Sequence, residues 1–204
     1  MINTFDILNF YLSQNDKNSL NCEDSQISIN QYISSILDFI IHVFKPKIII
    51  ELGTLYGKSA ISMAQSNPDA QIHTIENNEK HYNIAKKNIL NHNLSNRITL
   101  HLGDCMEILA TDKIQNLSPD MIFIDANKAR YLDYLSWAKE FLNKNGIIVA
   151  DNIFVHKVIE KYKNPNNNIH KNMEIFLERV QNKDLFNTLI IPYERDGISI
   201  SIKK

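Results

Sequence analysis

From Lys47 to Ala150 the chain alternates short apolar runs with longer stretches of helical period, and this alternation constrains the fold more than any other feature. The runs predict strands over 47–52, 71–75, 98–102, 121–125 and 146–150. The stretches between them predict helices over 57–65 and 79–90, a short helix from 104, and a helix over 128–142. Parallel strands cannot be joined by a tight turn, so each crossover must carry a helix back across the sheet. The expected outcome is an α/β fold with a mostly parallel sheet covered on both faces. The end of the chain departs from this rhythm. A helix over 172–181 precedes two β-like runs, 186–191 and 197–202, joined by Pro192-Tyr193-Glu194-Arg195-Asp196-Gly197. These read as an antiparallel pair at one edge, which brings the sheet to seven strands. Helices are also expected over 4–14 and 28–44, with a polar loop between them. The asparagine-rich stretch 163–168 reads as a mobile surface loop.

In an open parallel sheet, ligands sit beyond the carboxyl ends of the strands. The first strand leads into Glu51-Leu52-Gly53-Thr54-Leu55-Tyr56-Gly57-Lys58-Ser59. Glycines in such a turn let backbone approach a ligand where a Cβ would clash. The spacing is Gly-x-x-x-Gly, so the dinucleotide fingerprint Gly-x-Gly-x-x-Gly is absent. Glu76 ends the second strand 23 residues after Gly53, where an acid can accept both hydroxyls of a ribose. Asp104 and Cys105 follow the third strand, Asp125 ends the fourth, and Asp151-Asn152 follows the fifth. Each acid alone could be a helix cap or a loop starter. Five successive strand ends carrying a carboxylate point to one functional rim.

Asp125, Asp151 and Asn152 would supply three oxygen donors from neighbouring strand tips, a set suited to Mg²⁺ or another hard divalent ion such as Mn²⁺. Lys128 follows Asp125 by one helical turn and could serve as a general base beside such a cation, or simply face solvent. The two cysteines, Cys22 and Cys105, form no Cys-x-x-Cys pair, and the seven histidines include no His-x-x-x-His pair. A disulfide framework and a zinc site are therefore not expected. A net charge of −1 argues against a surface given over wholly to nucleic acid. No apolar run is long enough to span a bilayer and the start of the chain has no basic n-region, so a cytoplasmic protein is expected.

Taken together, Glu51 to Ser59, Gly103-Asp104-Cys105, Phe123-Ile124-Asp125-Ala126-Asn127-Lys128-Ala129-Arg130-Tyr131, Ala150-Asp151-Asn152-Ile153 and the closing Asp196-Gly197-Ile198 resemble the metal-dependent class I O-methyltransferases. That family includes catechol and caffeoyl-CoA enzymes. The resemblance runs from Ile27 onward and implies a Rossmann-like methyltransferase fold in a single domain over 1–204. Residues 1–44 would form a helical lid and dimer segment, and residues 45–204 the catalytic core. It implies that Gly53 and the turn through Ser59 hold the methionine part of S-adenosyl-L-methionine, that Glu76 binds its ribose, and that Asp104 and Cys105 flank its adenine. Ile29 would touch the cofactor from the lid, and Asp125 would border it. Asp125, Asp151 and Asn152 match the family's metal ligands and Lys128 its base. Cys105 stands where many relatives carry alanine, which suits a small packing residue better than a nucleophile.

The acceptor implied is a hydroxyl with an adjacent oxygen. A catechol or caffeoyl group fits that description, and so does 5-hydroxyuridine. The chain looks most like the compact bacterial branch that includes tRNA 5-hydroxyuridine methyltransferases, and tRNA is the acceptor expected first. Where that branch often carries an arginine-rich run, this chain has Lys157, Lys161, Lys163 and Lys171 among asparagines, a thinner basic patch. A homodimer is expected from the family and from the apolar surface of helix 28–44. A non-catalytic cofactor-binding module is the remaining alternative, although it would need neither the metal ligands nor Lys128.

Overall fold

The computed structural model describes residues 31–193 and 196–204. The helix expected over 4–14, Cys22, Ile29 and the start of the second helix lie outside the described residues. Helix α1 runs Gln31–Phe44, followed by β1 Ile48–Leu52, α2 Lys58–Ser66, β2 Gln71–Glu76, α3 Glu79–Asn91 and β3 Ile98–Leu102. Next come α4 Cys105–Leu109, α5 Asp112–Gln115, β4 Met121–Ile124, a 3₁₀ turn Lys128–Arg130, α6 Tyr131–Phe141 and β5 Ile147–Ala150. The chain closes with α7 Val155–Val158, a 3₁₀ turn Glu160–Tyr162, α8 Asn168–Val180, β6 Phe186–Tyr193 and β7 Asp196–Lys203.

The strands form one seven-stranded sheet in the order β3-β2-β1-β4-β5-β7-β6. Strands β1 to β5 are parallel, and β7 is antiparallel to both β5 and β6. The chain winds outward from β1 to β3, then returns to place β4 on the other side of β1. That reversal opens a crevice between the tips of β1 and β4, where ligands bind in folds of this kind.

Alternation of side chains along the strands sends residues to two cores. Ile50, Leu52, Ile122, Ile124 and Ile148 pack with Tyr131, Tyr134 and Leu135 of α6 and Met173 and Phe176 of α8. Ile49, Ile72, Phe123 and Val149 pack on the opposite face with Ile33, Leu37 and Ile41 of α1 and Ala60, Ile61 and Ala64 of α2. Full burial of each large apolar side chain contributes about 1.5–3 kcal/mol, so helices are held to both faces of the sheet. Among the described residues no helix is long and apolar enough to cross a membrane.

Side-chain caps account for several helix starts. Asn78 accepts from the amides of Lys80 and His81, and Asp104 accepts from Met106. Asn167 caps α8 through the amide of Ile169, so α8 begins a turn earlier than expected. Part of the asparagine-rich stretch read as a loop is thus a helix start. The helix expected over 128–142 opens as a 3₁₀ turn before α6, a common arrangement at helix N-termini. Helices α5 and α7 were not expected, because four residues are too few to show a period.

Candidate active site

The turn after β1 is fixed by its neighbours. The amides of Gly53 and Thr54 both donate to the Ile75 carbonyl, at 3.1 and 3.2 Å. Gly53 has φ +94°, and a Cβ there would lie 2.1 Å from the Asp125 carbonyl oxygen. The expected reason for this glycine, close approach of a ligand, is therefore not the one the structure displays: the backbone of Asp125 occupies that space. Gly57 is required by its conformation, φ +79° at the N-cap of α2.

Below the turn, Glu51 is completely buried. Thr74 donates to its Oε2 at 2.5 Å, and Thr54 in turn donates to the Thr74 hydroxyl at 2.5 Å, since each hydroxyl has one proton to give. Glu51 Oε1 has no hydrogen-bond partner. Burial pushes the Glu51 carboxyl up to about 7; the nearby hydroxyls of Ser59 and Thr74 offset part of this, and the charges of Asp125 and Glu76 add to it. Ser59, in the first turn of α2, is itself buried. A raised carboxyl pKa means that the folded state binds the proton more tightly than the unfolded chain. The associated stability is present in full below the unfolded value of 4.5 and is lost as pH rises through about 7. For a group buried this fully the span corresponds to about 3 kcal/mol. Glu51→Gln should remove this component. Between pH 4.5 and 8 the wild type should lose about 3 kcal/mol more stability than the variant in urea titrations. Parallel stability curves would contradict this.

Glu76 is buried and its carboxylate ties two turns together. Oε2 accepts from the Leu55 amide at 2.7 Å and Oε1 from the Asn78 amide at 2.8 Å. Each oxygen accepts one backbone amide and has a second lone pair, the capacity a pair of ribose hydroxyls requires. Asp104 is exposed and caps α4. Cys105, beside it, is part of the core, and burial pushes its thiol up to about 11, only partly opposed by Tyr134. Such a thiol is a packing group and not a nucleophile.

The tips of β4 and β5 carry the remaining residues. Lys128 Nζ donates to Asp125 Oδ1 at 3.1 Å, to the Tyr131 hydroxyl at 2.6 Å and to the Asp151 carbonyl at 3.4 Å. All three of its protons are engaged, and the side chain is only 15% exposed. It is therefore not the solvated helix lysine that spacing alone allows. Fully buried Tyr131 shares its own proton between the carbonyls of Asp151 at 2.8 Å and Ile124 at 3.2 Å. Asp151 is buried; its Oδ1 accepts from the Asn152 amide at 2.7 Å and from the Tyr193 hydroxyl at 2.5 Å. Asn152, at φ +54°, turns its Nδ2 to the same Tyr193 hydroxyl at 3.1 Å. Burial, with the charge of Asp125 added, pushes the Asp151 carboxyl up to about 6 despite Tyr193, the Asn152 amide and Lys128.

The structure thus gathers Gly53, Ser59, Glu76, Asp125, Lys128, Asp151 and Asn152 at one end of the sheet, with Asp104 and Cys105 at its β3 side. Two features fit the groups that the sequence implies. Glu51 offers a buried acceptor without a partner, as a cationic ligand would need. Burial, with the charge of Asp125 added, disfavours the ionised Asp151 carboxyl, a cost that a shared cation would relieve. Two carboxylates and an amide are hard oxygen donors. Among the described residues no group of three or more His, Cys, Asp or Glu side chains is arranged for a metal ion; the set at the β4 and β5 tips has two carboxylates and an amide. Thr74 and Tyr193 were not expected at the site, and Tyr131 and Asp196, which belong to the segments that carry the resemblance, had no role assigned to them. Asp196 Oδ1 accepts from the amides of Phe154 and Gly197, pinning the loop after β5 to the β6–β7 hairpin. Tyr131 had a local signal, one helical turn beyond Lys128. Tyr193 had none, since its partners lie 41 and 42 residues away.

A sequence model of the O-methyltransferase family matches residues 4–204. Over 129 residues the chain is 36% identical to a catechol O-methyltransferase of Niastella koreensis, covering 62% of this chain and 58% of that protein. It is 30% identical over 106 residues to a catechol O-methyltransferase of Mycobacterium tuberculosis, covering 52% and 47%. The matched part thus spans about half the length of these relatives. In overall structure it resembles an O-methyltransferase from Bacillus cereus in complex with SAH, with a TM-score of 0.79, 22% identity, and coverage of 100% of this chain and 92% of that one. TomG from Streptomyces achromogenes, solved with SAM, gives a TM-score of 0.79 at 21% identity, with coverage of 88% and 83%. These likenesses extend the sequence match to the architecture of the whole sheet. The chain belongs to the O-methyltransferase family.

Proposed function

We propose that this protein transfers a methyl group from S-adenosyl-L-methionine to a hydroxyl that has an adjacent oxygen, and that it does so with Mg²⁺ or Mn²⁺. The single observation that carries this reading is the cluster at the β4 and β5 tips: Asp125, Asp151 and Asn152 beside a desolvated lysine, next to the glycine turn of β1. Asp125, Asp151 and Asn152 would hold the cation; Glu51, the Gly53–Ser59 turn and Glu76 would hold the cofactor, with Asp104 and Cys105 at the adenine end. When bound, the cofactor supplies an electrophilic methyl group on a sulfonium, and the cation supplies a Lewis acid that favours the ionised hydroxyl. Lys128 takes the hydroxyl proton. Tyr131 and the Asp151 carbonyl aim its nitrogen, and the proton directed at Asp125, 39% exposed, is the one that must first leave to solvent so that the neutral amine can accept the hydroxyl proton. The rest is alignment, worth up to about 7–11 kcal/mol when reacting atoms are held in line.

The acceptor favoured is a small diphenol. Of the four lysines after β5, Lys157 is paired with Glu174, Lys163 is paired with Glu160, and Lys161 lies over the Tyr162 ring. Two of the four charges are matched by carboxylates, which leaves a thinner positive surface for phosphates, and the catechol O-methyltransferases the chain resembles fit the smaller acceptor. A homodimer through α1 belongs to the same proposal, since Phe39, Val43 and Phe44 are exposed there; a single-chain mass by light scattering would contradict it.

The test is methyl transfer from labelled S-adenosyl-L-methionine to catechol and, separately, to tRNA bearing 5-hydroxyuridine. Transfer to catechol should require Mg²⁺, stop with EDTA, and fall about 10²–10³-fold in Asp151→Ala, as expected when a principal electrostatic element is removed. Transfer undiminished by EDTA would overturn the metal-dependent reading.

A further inference from the structure

Tyr193 closes β6 on the antiparallel edge of the sheet, yet its hydroxyl reaches the tip of β5. It donates to Asp151 Oδ1 at 2.5 Å and accepts from Asn152 Nδ2 at 3.1 Å. One phenol therefore orients two adjacent side chains. The two ends of an amide are opposite in chemistry, a donor and an acceptor. With Nδ2 committed to the phenol, Asn152 offers its oxygen on the other side; turned through 180°, it would offer N–H groups that repel a cation. Asp151 Oδ1 takes both the Tyr193 proton and the Asn152 amide, so Oδ2 is the oxygen left without a hydrogen bond among the described residues.

The phenol is itself held in place. Its ring packs on Tyr32 of α1 with centroids 5.6 Å apart. Across the hairpin it pairs in register with Asp196, whose carboxylate binds the Phe154 amide two residues beyond Asn152. The β6–β7 hairpin thus grips the β5 tip at two points, one through backbone and one through the phenol.

We propose that Tyr193 is a positioning residue for the divalent cation: its hydroxyl decides which oxygens of Asp151 and Asn152 are presented. This rests on the reading of Asp125, Asp151 and Asn152 as the cation site. Groups that orient metal ligands typically govern affinity by 10–100-fold. The experiment is Mn²⁺ binding to the purified full chain, followed by electron paramagnetic resonance of the free ion, for wild type and Tyr193→Phe. The variant keeps the ring on Tyr32 and loses only the hydroxyl. Its Mn²⁺ dissociation constant should rise about 10–100-fold, while the melting temperature and the affinity for S-adenosyl-L-methionine stay near wild type. Equal Mn²⁺ affinity in the folded variant overturns the proposal, and so does a loss that merely parallels a fall in melting temperature. Should Tyr193→Phe fail to fold, Tyr193→Leu takes its place with the same expected loss. A wild type that takes up no Mn²⁺ would instead remove the cation site itself, and this proposal with it.

Discussion

Lys128→Met should lower the turnover number by about 10²–10⁴-fold, the range for loss of a positioned proton acceptor, and leave S-adenosyl-L-methionine affinity near the wild-type value. Methionine keeps the length of the stem and removes the amine. The amine's hydrogen bonds to Asp125, the Tyr131 hydroxyl and the Asp151 carbonyl go with it, but these partners keep other ties or meet water. Tyr131 still donates to the Asp151 carbonyl, and Asp125 is open enough to be hydrated once its ion pair is gone. A partly exposed pair of this kind is worth about 1 kcal/mol or less to the fold. The effect should therefore appear in rate and not in melting temperature. Calorimetric titration with the cofactor makes the distinction: a variant that no longer binds S-adenosyl-L-methionine would show that Lys128 builds the cofactor site, and the assignment as base would fall.

Gly53→Ala should produce the largest loss of stability of any single methyl addition in the glycine turn. The new Cβ would meet the Asp125 carbonyl oxygen at 2.1 Å and its carbon at 2.9 Å, in a backbone of φ +94° that side chains rarely adopt. Both contacts are backbone, so no side chain can swing aside. The end of β4 must move, and with it Asp125. A clash of this severity places the cost at about 3–5 kcal/mol, or roughly 6–20 °C in melting temperature for a domain of this size. Gly57→Ala is the informative contrast. Its Cβ would sit 3.4 Å from the Ala85 Cβ, an ordinary contact, which leaves only the strain of φ +79°, about 1–2 kcal/mol. Thermal unfolding of the two variants side by side checks the difference; equal losses would mean that the contact with Asp125 is not what constrains Gly53.

The parts of this molecule legible in its sequence are those written in contiguous residues. Parallel strands buried on both faces appear as unbroken apolar runs, so Met121–Ile124 and Ile147–Ala150 declare themselves, and the polar residues that follow mark the functional edge. Residues 197–202 were readable as one strand of an antiparallel pair at the sheet edge, a β-like run of its own, and in the sheet β7 lies between β5 and the outer β6. What stayed hidden depends on contacts between distant segments. The reason for Gly53 lies in the carbonyl of Asp125, and the orientation of Asp151 lies in Tyr193, on a strand that joins the sheet only through β7. Glu51 looked like one more acid on the rim. Its full burial, and the Thr54–Thr74 relay that serves it, follow from a register that pairs Glu51 with Thr74. The start of α8 was missed because asparagine favours loops and helix caps alike, and only the amide of Ile169 reveals which role Asn167 plays.

In the proposed mechanism, side chains from two neighbouring strand tips share a cation next to the cofactor. Anomalous diffraction from crystals soaked with Mn²⁺ and S-adenosylhomocysteine tests it most directly. A single strong peak bounded by oxygens of Asp125, Asp151 and Asn152, with Lys128 alongside, is the predicted result. A map with no peak among those three residues, or with the ion held elsewhere on the chain, would contradict it.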